Sequence, residues 1–300
     1  MKNFLRVFPL ILVASVLFSC ASNPYASTNR VHKKQSKILT KQLNTFPPDQ
    51  SLPETTLNYG DYWAGTTNFN LRKPNYVIIH HTAQDSTEVT LNTFTVSRTQ
   101  VSAHYVIGKD GKIFHMLNDY YRAWHGGVGK WGNDTDLNST SLGIELDNNG
   151  FEPFSLLQIE SLIGLLKVLK EKYNIPAANF IGHSDIAPSR KVDPNIFFPW
   201  KELAEAGFGL WYDESVLLEE ESEKIKVKDT LAPEEITLNP GLLTEKLPDP
   251  KLALRIIGYD TSDMDAAIKA FKLHFIQKDI DANLSEQDLK ILYNLYKKYM

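Results

Sequence analysis

Tyr76-Val77-Ile78-Ile79-His80-His81 is a short apolar, β-branched run that follows Pro74 and closes on two histidines. A run of this length and composition behind a proline reads as a buried strand. The next signals downstream are of the same kind. Ala103-His104-Tyr105-Val106-Ile107-Gly108 and Lys112-Ile113-Phe114-His115-Met116 flank Lys109-Asp110-Gly111. Asp-Gly between two such runs predicts a hairpin. Ser141 to Asp147 alternates apolar and polar residues and predicts a further strand.

Helical signals are interleaved with the strands. Ser155 with Gln158 three residues on predicts a capping box. Ile159, Leu162, Ile163, Leu166 and Tyr173 then recur at helical spacing, so a helix is expected from about Leu156 to Tyr173, stopped by Asn174 and Pro176. Phe180-Ile181-Gly182 is a short strand that delivers His183 at its end. Interleaved strands and helices predict an α/β or α+β domain with a mostly buried sheet, of which α/β, a mixed central sheet flanked by helices, is the expectation. Beyond residue 251 the pattern is wholly helical, with Ile268, Phe271, Leu273 and Phe275 in one segment and Leu289, Leu292, Leu295 and Tyr299 in another. This predicts a small all-α domain at the C-terminal side.

The 300 residues are 42% hydrophobic and 23% charged, enough apolar material for a sizeable core. A net charge of -4 supplies no basic field for nucleic acid. The single cysteine, Cys20, excludes an intramolecular disulfide. Its surroundings are informative. Lys2 and Arg6 precede a nearly unbroken apolar run from Val7 to Phe18, which ends on Ser19-Cys20. The run is too short to span a bilayer and has the length of an export-signal core. The ending resembles a bacterial lipobox, which implies cleavage before Cys20, lipid attachment there and a membrane anchor. Residues 1–19 are therefore read as the signal. Residues 20–55, polar and poor in aliphatics, are read as a tether, and 214–250, rich in charge and proline, as a linker or extension.

Of eight histidines, five lie between His80 and His125. Histidines at strand ends near carboxylates are typical of zinc sites, and a catalytic zinc needs three protein ligands and an open position. The most distinctive segment runs from Gly182-His183-Ser184-Asp185-Ile186-Ala187-Pro188 through Ser189-Arg190-Lys191-Val192-Asp193-Pro194. It places a His, a Lys and an Asp in one loop after a strand. Beside a metal, the Lys can donate to an oxyanion. Alternatively, His183 and Asp185 merely pair to hold the loop.

Taken in order, Ile79-His80-His81-Thr82, Ser102-Ala103-His104-Tyr105, Ala123-Trp124-His125-Gly126-Gly127, Gly143-Ile144-Glu145-Leu146, Gly182 to Pro188 and Arg190-Lys191 resemble the type 2 N-acetylmuramoyl-L-alanine amidases. These share their fold with peptidoglycan recognition proteins. The likeness runs from about Tyr76 to Trp200 and is nearest to the family's outer-membrane lipoproteins. It implies a zinc amidase domain over 56–213 and a peptidoglycan-binding-like helical domain over 251–300. It also implies one zinc ion held by His80, His183 and Asp193, with Glu145 handling protons and Lys191 stabilising the oxyanion. The implied reaction is hydrolysis of the amide between the muramic acid lactyl group and L-alanine, in wall turnover. The implied location is the outer membrane, facing the periplasm, through the lipid anchor; for the oligomeric state, a monomer is the default expectation.

The choice of His80 over His81 comes from this resemblance alone. His104 and His125 either line the cleft or are core histidines. His115 reads as structural, Asp185 as orienting the loop, and His32 and His274 as bland. Trp124, Trp131 and Tyr105 are candidates to stack on sugar or peptide. The helices after 251 are either a wall-binding module or a cap on the catalytic domain. The main alternative function is a non-catalytic peptidoglycan-binding lipoprotein, but such relatives lack a complete ligand set, and here every position is filled. A zinc peptidase of another class would carry a His-Glu-x-x-His helix, which this chain lacks. A purely structural lipoprotein leaves the ordered set of motifs unexplained.

Overall fold

The computed structural model describes residues 23–44, 66, 68, 70–217 and 248–300. Cys20, the export-type run and most of the 214–250 segment lie outside these residues. The chain divides into two units, one holding the described residues up to 68 and the other those from 70 onward. In the first, helix α1 (Ala26–Leu43) occupies much of the stretch read as a tether and buries none of its side chains. No helix among the described residues is long and apolar enough to cross a membrane.

The second unit is built on a five-stranded sheet. Its strands are β1 (Tyr76–His81), β2 (Tyr105–Ile107), β3 (Ile113–His115), β4 (Ser141–Leu146) and β5 (Phe180–Gly182), in the order β3-β2-β4-β1-β5. Strands β2, β4, β1 and β5 run parallel, and β3 is antiparallel to β2. The predicted hairpin is present, and its turn closes through Gly108 and Gly111. Gly111 has φ +80, a conformation that a residue with a Cβ resists.

Helix α2 (Thr87–Thr95) follows β1, and α3 (Leu156–Tyr173) carries the sheet's first core. Val77, Ile79, Leu142, Ile144 and Leu146 pack against Ile159, Leu162, Leu166, Leu169 and Tyr173 of α3, all buried. The predicted capping box is only half made. The Ser155 hydroxyl accepts from the Gln158 N–H, but the Gln158 side chain donates to the carbonyls of Ile107 and Asp147. Those buried strand-end carbonyls need a partner more than the helix start does, because water reaches the latter.

The other face of β1 and β5 belongs to a second core. Ile78 and Ile181 pack there with Trp131, Leu137 and Ile186, and with residues of α5 (Pro250–Ile257), α6 (Met264–Phe271), a π-helical turn (Lys272–Ile276) and α7 (Glu286–Tyr299). Helix α4 (Trp200–Glu205) buries Trp200 and Leu203 in the first core. The C-terminal helices thus share a core with the sheet. A β1 buried on both faces explains the unbroken apolar run with which it begins.

Candidate metal centre and active site

Strand alternation sets which side chains meet. On β1, Val77 and Ile79 face α3, so Ile78 and His80 face the other way. On β4, Leu142, Ile144 and Leu146 face α3, which leaves Ser141, Gly143 and Glu145 on the side of His80. His80 and Glu145 are register partners on these two parallel strands. His183 begins a helical turn directly after β5, the strand on the other side of β1. Three adjacent parallel strands therefore bring His80, Glu145 and His183 to their carboxyl ends, where ligands bind in sheets of this kind. Asp193 returns to the same point on a loop pinned by the Ser184 N–H donating to the Asp193 carbonyl at 2.8 Å.

The three predicted ligands converge. His80 Nδ1 lies 2.9 Å from His183 Nδ1 and 3.1 Å from Asp193 Oδ2, and His183 Nδ1 lies 3.0 Å from that same oxygen. All three side chains are buried. They are the group of His, Cys, Asp and Glu side chains, among the described residues, placed to hold a metal ion. Zinc bonds of about 2.0–2.1 Å imply donor-to-donor edges of about 3.3 Å, so the observed spacing needs only a slight spread.

The outer nitrogens decide whether Nδ1 is free to ligate. His183 Nε2 donates to the Gly126 carbonyl at 3.1 Å, which leaves its Nδ1 bare. The Ser141 hydroxyl donates to the Leu137 carbonyl, so its oxygen accepts from His125 Nε2 at 3.2 Å. His125 Nδ1 then accepts from His80 Nε2 at 3.0 Å, and His80 Nδ1 is bare as well. One proton assignment satisfies all of these outer bonds and presents two imidazole lone pairs and a carboxylate to the same point. Burial and the neighbouring His183 hold the His80 pKa down to about 4, so its ring is neutral at neutral pH. Burial pushes the Asp193 carboxyl up, but the His183 and His80 rings set against it outweigh burial and hold it below the usual carboxylate range.

The dipeptide His125-Gly126 therefore orients both imidazole ligands. The Asn138 side-chain oxygen fixes it by accepting the backbone N–H of His125 at 3.1 Å and of Gly126 at 2.8 Å. Gly143 makes room for it: a Cβ there would lie 2.3 Å from the His125 ring. The sequence left His125 open between cleft and core, and gave Asn138, Ser141 and the Gly126 carbonyl no role. A backbone carbonyl has no residue-type signature, so only the motif around His125 pointed here.

Glu145 is buried, which pushes its carboxyl well above the usual range; Asp193 adds to the rise and Lys191 opposes it. Lys191 lies two residues before Asp193 on the same loop. By alternation His81 belongs to the opposite face from His80, and its Nδ1 is buried without a partner. His104 is a core histidine: its Nδ1 accepts from the Gly143 N–H and its Nε2 donates to the Tyr121 carbonyl. His115 stacks on Tyr105 and bonds Asp119. Trp131 and Tyr105 are buried, which removes them as platforms for sugar or peptide, whereas Trp124 is 46% exposed. His274, read as bland, bonds Asp185.

Residues 70–196 match the family model described as N-acetylmuramoyl-L-alanine amidase. The structure of AmpDH3 from Pseudomonas aeruginosa superposes with TM-score 0.63 at 30% identity, over 82% of this chain and 99% of that one. The chain belongs to the N-acetylmuramoyl-L-alanine amidase family. AmiD of Escherichia coli is 39% identical over 154 residues, 46% of this chain and 54% of its own length. AmpD of Haemophilus influenzae is 36% identical over 107 residues, 35% of this chain and 58% of its own. The chain thus spans little more than half the length of these curated relatives. In structure the E. coli AmiD match is longer, with TM-score 0.62 at 29% identity over 78% of this chain and 93% of that one. That AmiD structure is a complex with the substrate anhydro-N-acetylmuramic acid-L-Ala-D-γ-Glu-L-Lys.

Proposed function

We propose that the protein hydrolyses the amide bond between the muramic acid lactyl group and L-alanine, in peptidoglycan or muropeptides, with one zinc ion held by His80, His183 and Asp193. The observation that carries this reading is the convergence of two bare Nδ1 atoms and one carboxylate oxygen beside Glu145. Two imidazoles and a carboxylate form a ligand set known for catalytic zinc. When bound, zinc supplies Lewis acidity at a carbonyl and acidifies a water toward neutral pH.

The remaining work falls to the chain's own side chains. Glu145, whose burial raises its affinity for a proton, takes one from the attacking water and returns it to the departing amine. Lys191 supplies positive charge for the oxyanion that develops at the scissile carbonyl. Arg190 donates to the carbonyls of Gly126 and Val128 and so stiffens the segment that orients the histidines.

The crystallised relatives support a muropeptide substrate, because AmiD of E. coli and AmpDH3 of P. aeruginosa are seen with anhydromuramyl peptides. The apolar run ending on the only cysteine supports lipidation at Cys20 and a place in the envelope, at the outer membrane facing the periplasm. Digestion of purified sacculi, read by mass spectrometry, tests the reading. Stem peptides with a free L-alanine amino terminus are expected from the native protein, and none with chelator present or from His183→Ala. Cuts between stem residues would instead make it a peptidase. Binding without any product would make it a wall-binding protein.

A further inference from the structure

Asp185 stands two residues after His183 and is fully buried. Its Oδ1 accepts from the Tyr259 hydroxyl at 2.7 Å. Its Oδ2 accepts from His274 Nδ1 at 2.7 Å and from the Gly182 N–H at 2.7 Å. The His274 ring lies flat on Trp200, 3.8 Å between centroids, and on Phe275, 4.0 Å. Two side chains from the C-terminal helical segment thus grip the turn that begins with one predicted metal ligand.

The same segment grips the far side of the loop. Gln277 caps the π-helical turn with φ +58, and its side-chain amide donates to the Ile196 carbonyl at 3.1 Å and to the Phe198 carbonyl at 2.6 Å. Those carbonyls follow closely on Asp193. A cap that served only to cover apolar surface would need none of these bonds. A buried carboxylate is costly unless it is fully hydrogen-bonded, and an apolar contact would cover the same area without that cost. The polar groups here are spent on the two ends of one loop; His274 belongs to a π-helical turn, a rare element, and Gln277 is its cap.

We infer that the C-terminal helical segment is a positioning element of the active site. Tyr259 and His274, acting through Asp185, and Gln277, acting through the 196–198 backbone, hold the loop that carries His183, Lys191 and Asp193 in metal-ligating geometry. This rests on the reading of His80, His183 and Asp193 as a zinc site.

The test uses the purified full chain and three variants. His274→Phe keeps the aromatic stack and loses the donor, His274→Asn keeps a donor near the Nδ1 position, and Gln277→Met removes the amide. Zinc affinity is measured by chelator competition, the ligand field by the visible spectrum of the cobalt-substituted protein, and wall binding by co-sedimentation with sacculi. His274→Phe and Gln277→Met are each expected to weaken zinc binding about tenfold and to shift the cobalt bands, with His274→Asn recovering most of the loss. Wall binding should not change. Tyr259→Phe, which deletes one oxygen, gives the same readout if His274→Phe does not fold. Zinc affinities within about twofold of native in folded variants, with unshifted cobalt bands, would overturn the inference. So would loss of wall binding at native zinc affinity, which would make the segment a wall-binding module. A native protein that takes up no zinc would overturn the metal reading itself, and this inference with it.

Discussion

His125 accepts a hydrogen bond from His80, Nε2 to Nδ1 at 3.0 Å, and that bond leaves the inner nitrogen of His80 free to ligate. The ring that does this never reaches the metal point. Partners of this kind set tautomer and ring angle, and their loss commonly costs about 10–100-fold in metal affinity. His125→Phe should therefore weaken zinc binding by about that factor while leaving the fold in place. Chelator competition together with circular dichroism checks both halves of the expectation.

Gly143 lies beneath that ring. A methyl group there would stand 2.3–2.6 Å from three His125 ring atoms, none of which can yield in a packed core. Gly143→Ala is expected to cost about 1–3 kcal/mol of stability by overpacking and to displace His125 from His80. Urea unfolding and zinc titration should both move. A change in stability alone would detach His125 from metal binding.

Glu145 faces the site from the strand next to His80, in register with it. Glu145→Gln keeps the shape and removes the proton carrier. The expected outcome is a fall in kcat of about 10²–10⁴ with zinc content unchanged. Turnover of a defined muropeptide and metal analysis of the same preparation measure it.

Removing the metal should destabilise the folded chain as well as silence it. A ligand that binds only the native state at about 100 times its Kd stabilises by about 2.7 kcal/mol. Thermal unfolding of the metal-free protein should begin at lower temperature and recover on adding zinc in a concentration-dependent way.

A carboxyl remote from the metal sets an acid limit on stability. Burial raises the pKa of Asp119, but hydrogen bonds from Tyr105, Tyr173 and Lys172 outweigh it and hold the group below its ordinary value of 3.8. A depressed carboxyl contributes stability that is complete above its unfolded pKa and is lost as pH falls through the folded one. Asp119→Asn should thus be less stable than the native protein at pH 7, by about 1–3 kcal/mol. The gap should narrow as pH falls below about 4. Denaturant unfolding at the two extremes is the measurement.

Most of the sheet and its principal helix could be read from periodicity. The strand before His80, the Asp-Gly hairpin and the helix from Leu156 to Tyr173 each depend on local patterning, which is written along the chain. The helix α1 within the polar stretch was not anticipated, because its apolar residues are few and none is buried. The half-made cap at Ser155 had the same cause in reverse. Gln158 suits a capping box locally, but two strand-end carbonyls claim its amide.

By itself the sequence determined the strand-and-helix order, the residue types that can ligate a metal, and the motif order that marks the family. It could not choose between His80 and His81, because neighbouring residues of a strand differ only in the face they occupy, and the faces are assigned by what packs on them. It could not show that His125 and the Gly126 carbonyl orient the ligands, nor that His274 and Asp185, 89 residues apart, share a proton bond. Those relations follow from chain closure in three dimensions, where a buried lone pair must find a donor and accepts whichever one the packing brings within reach.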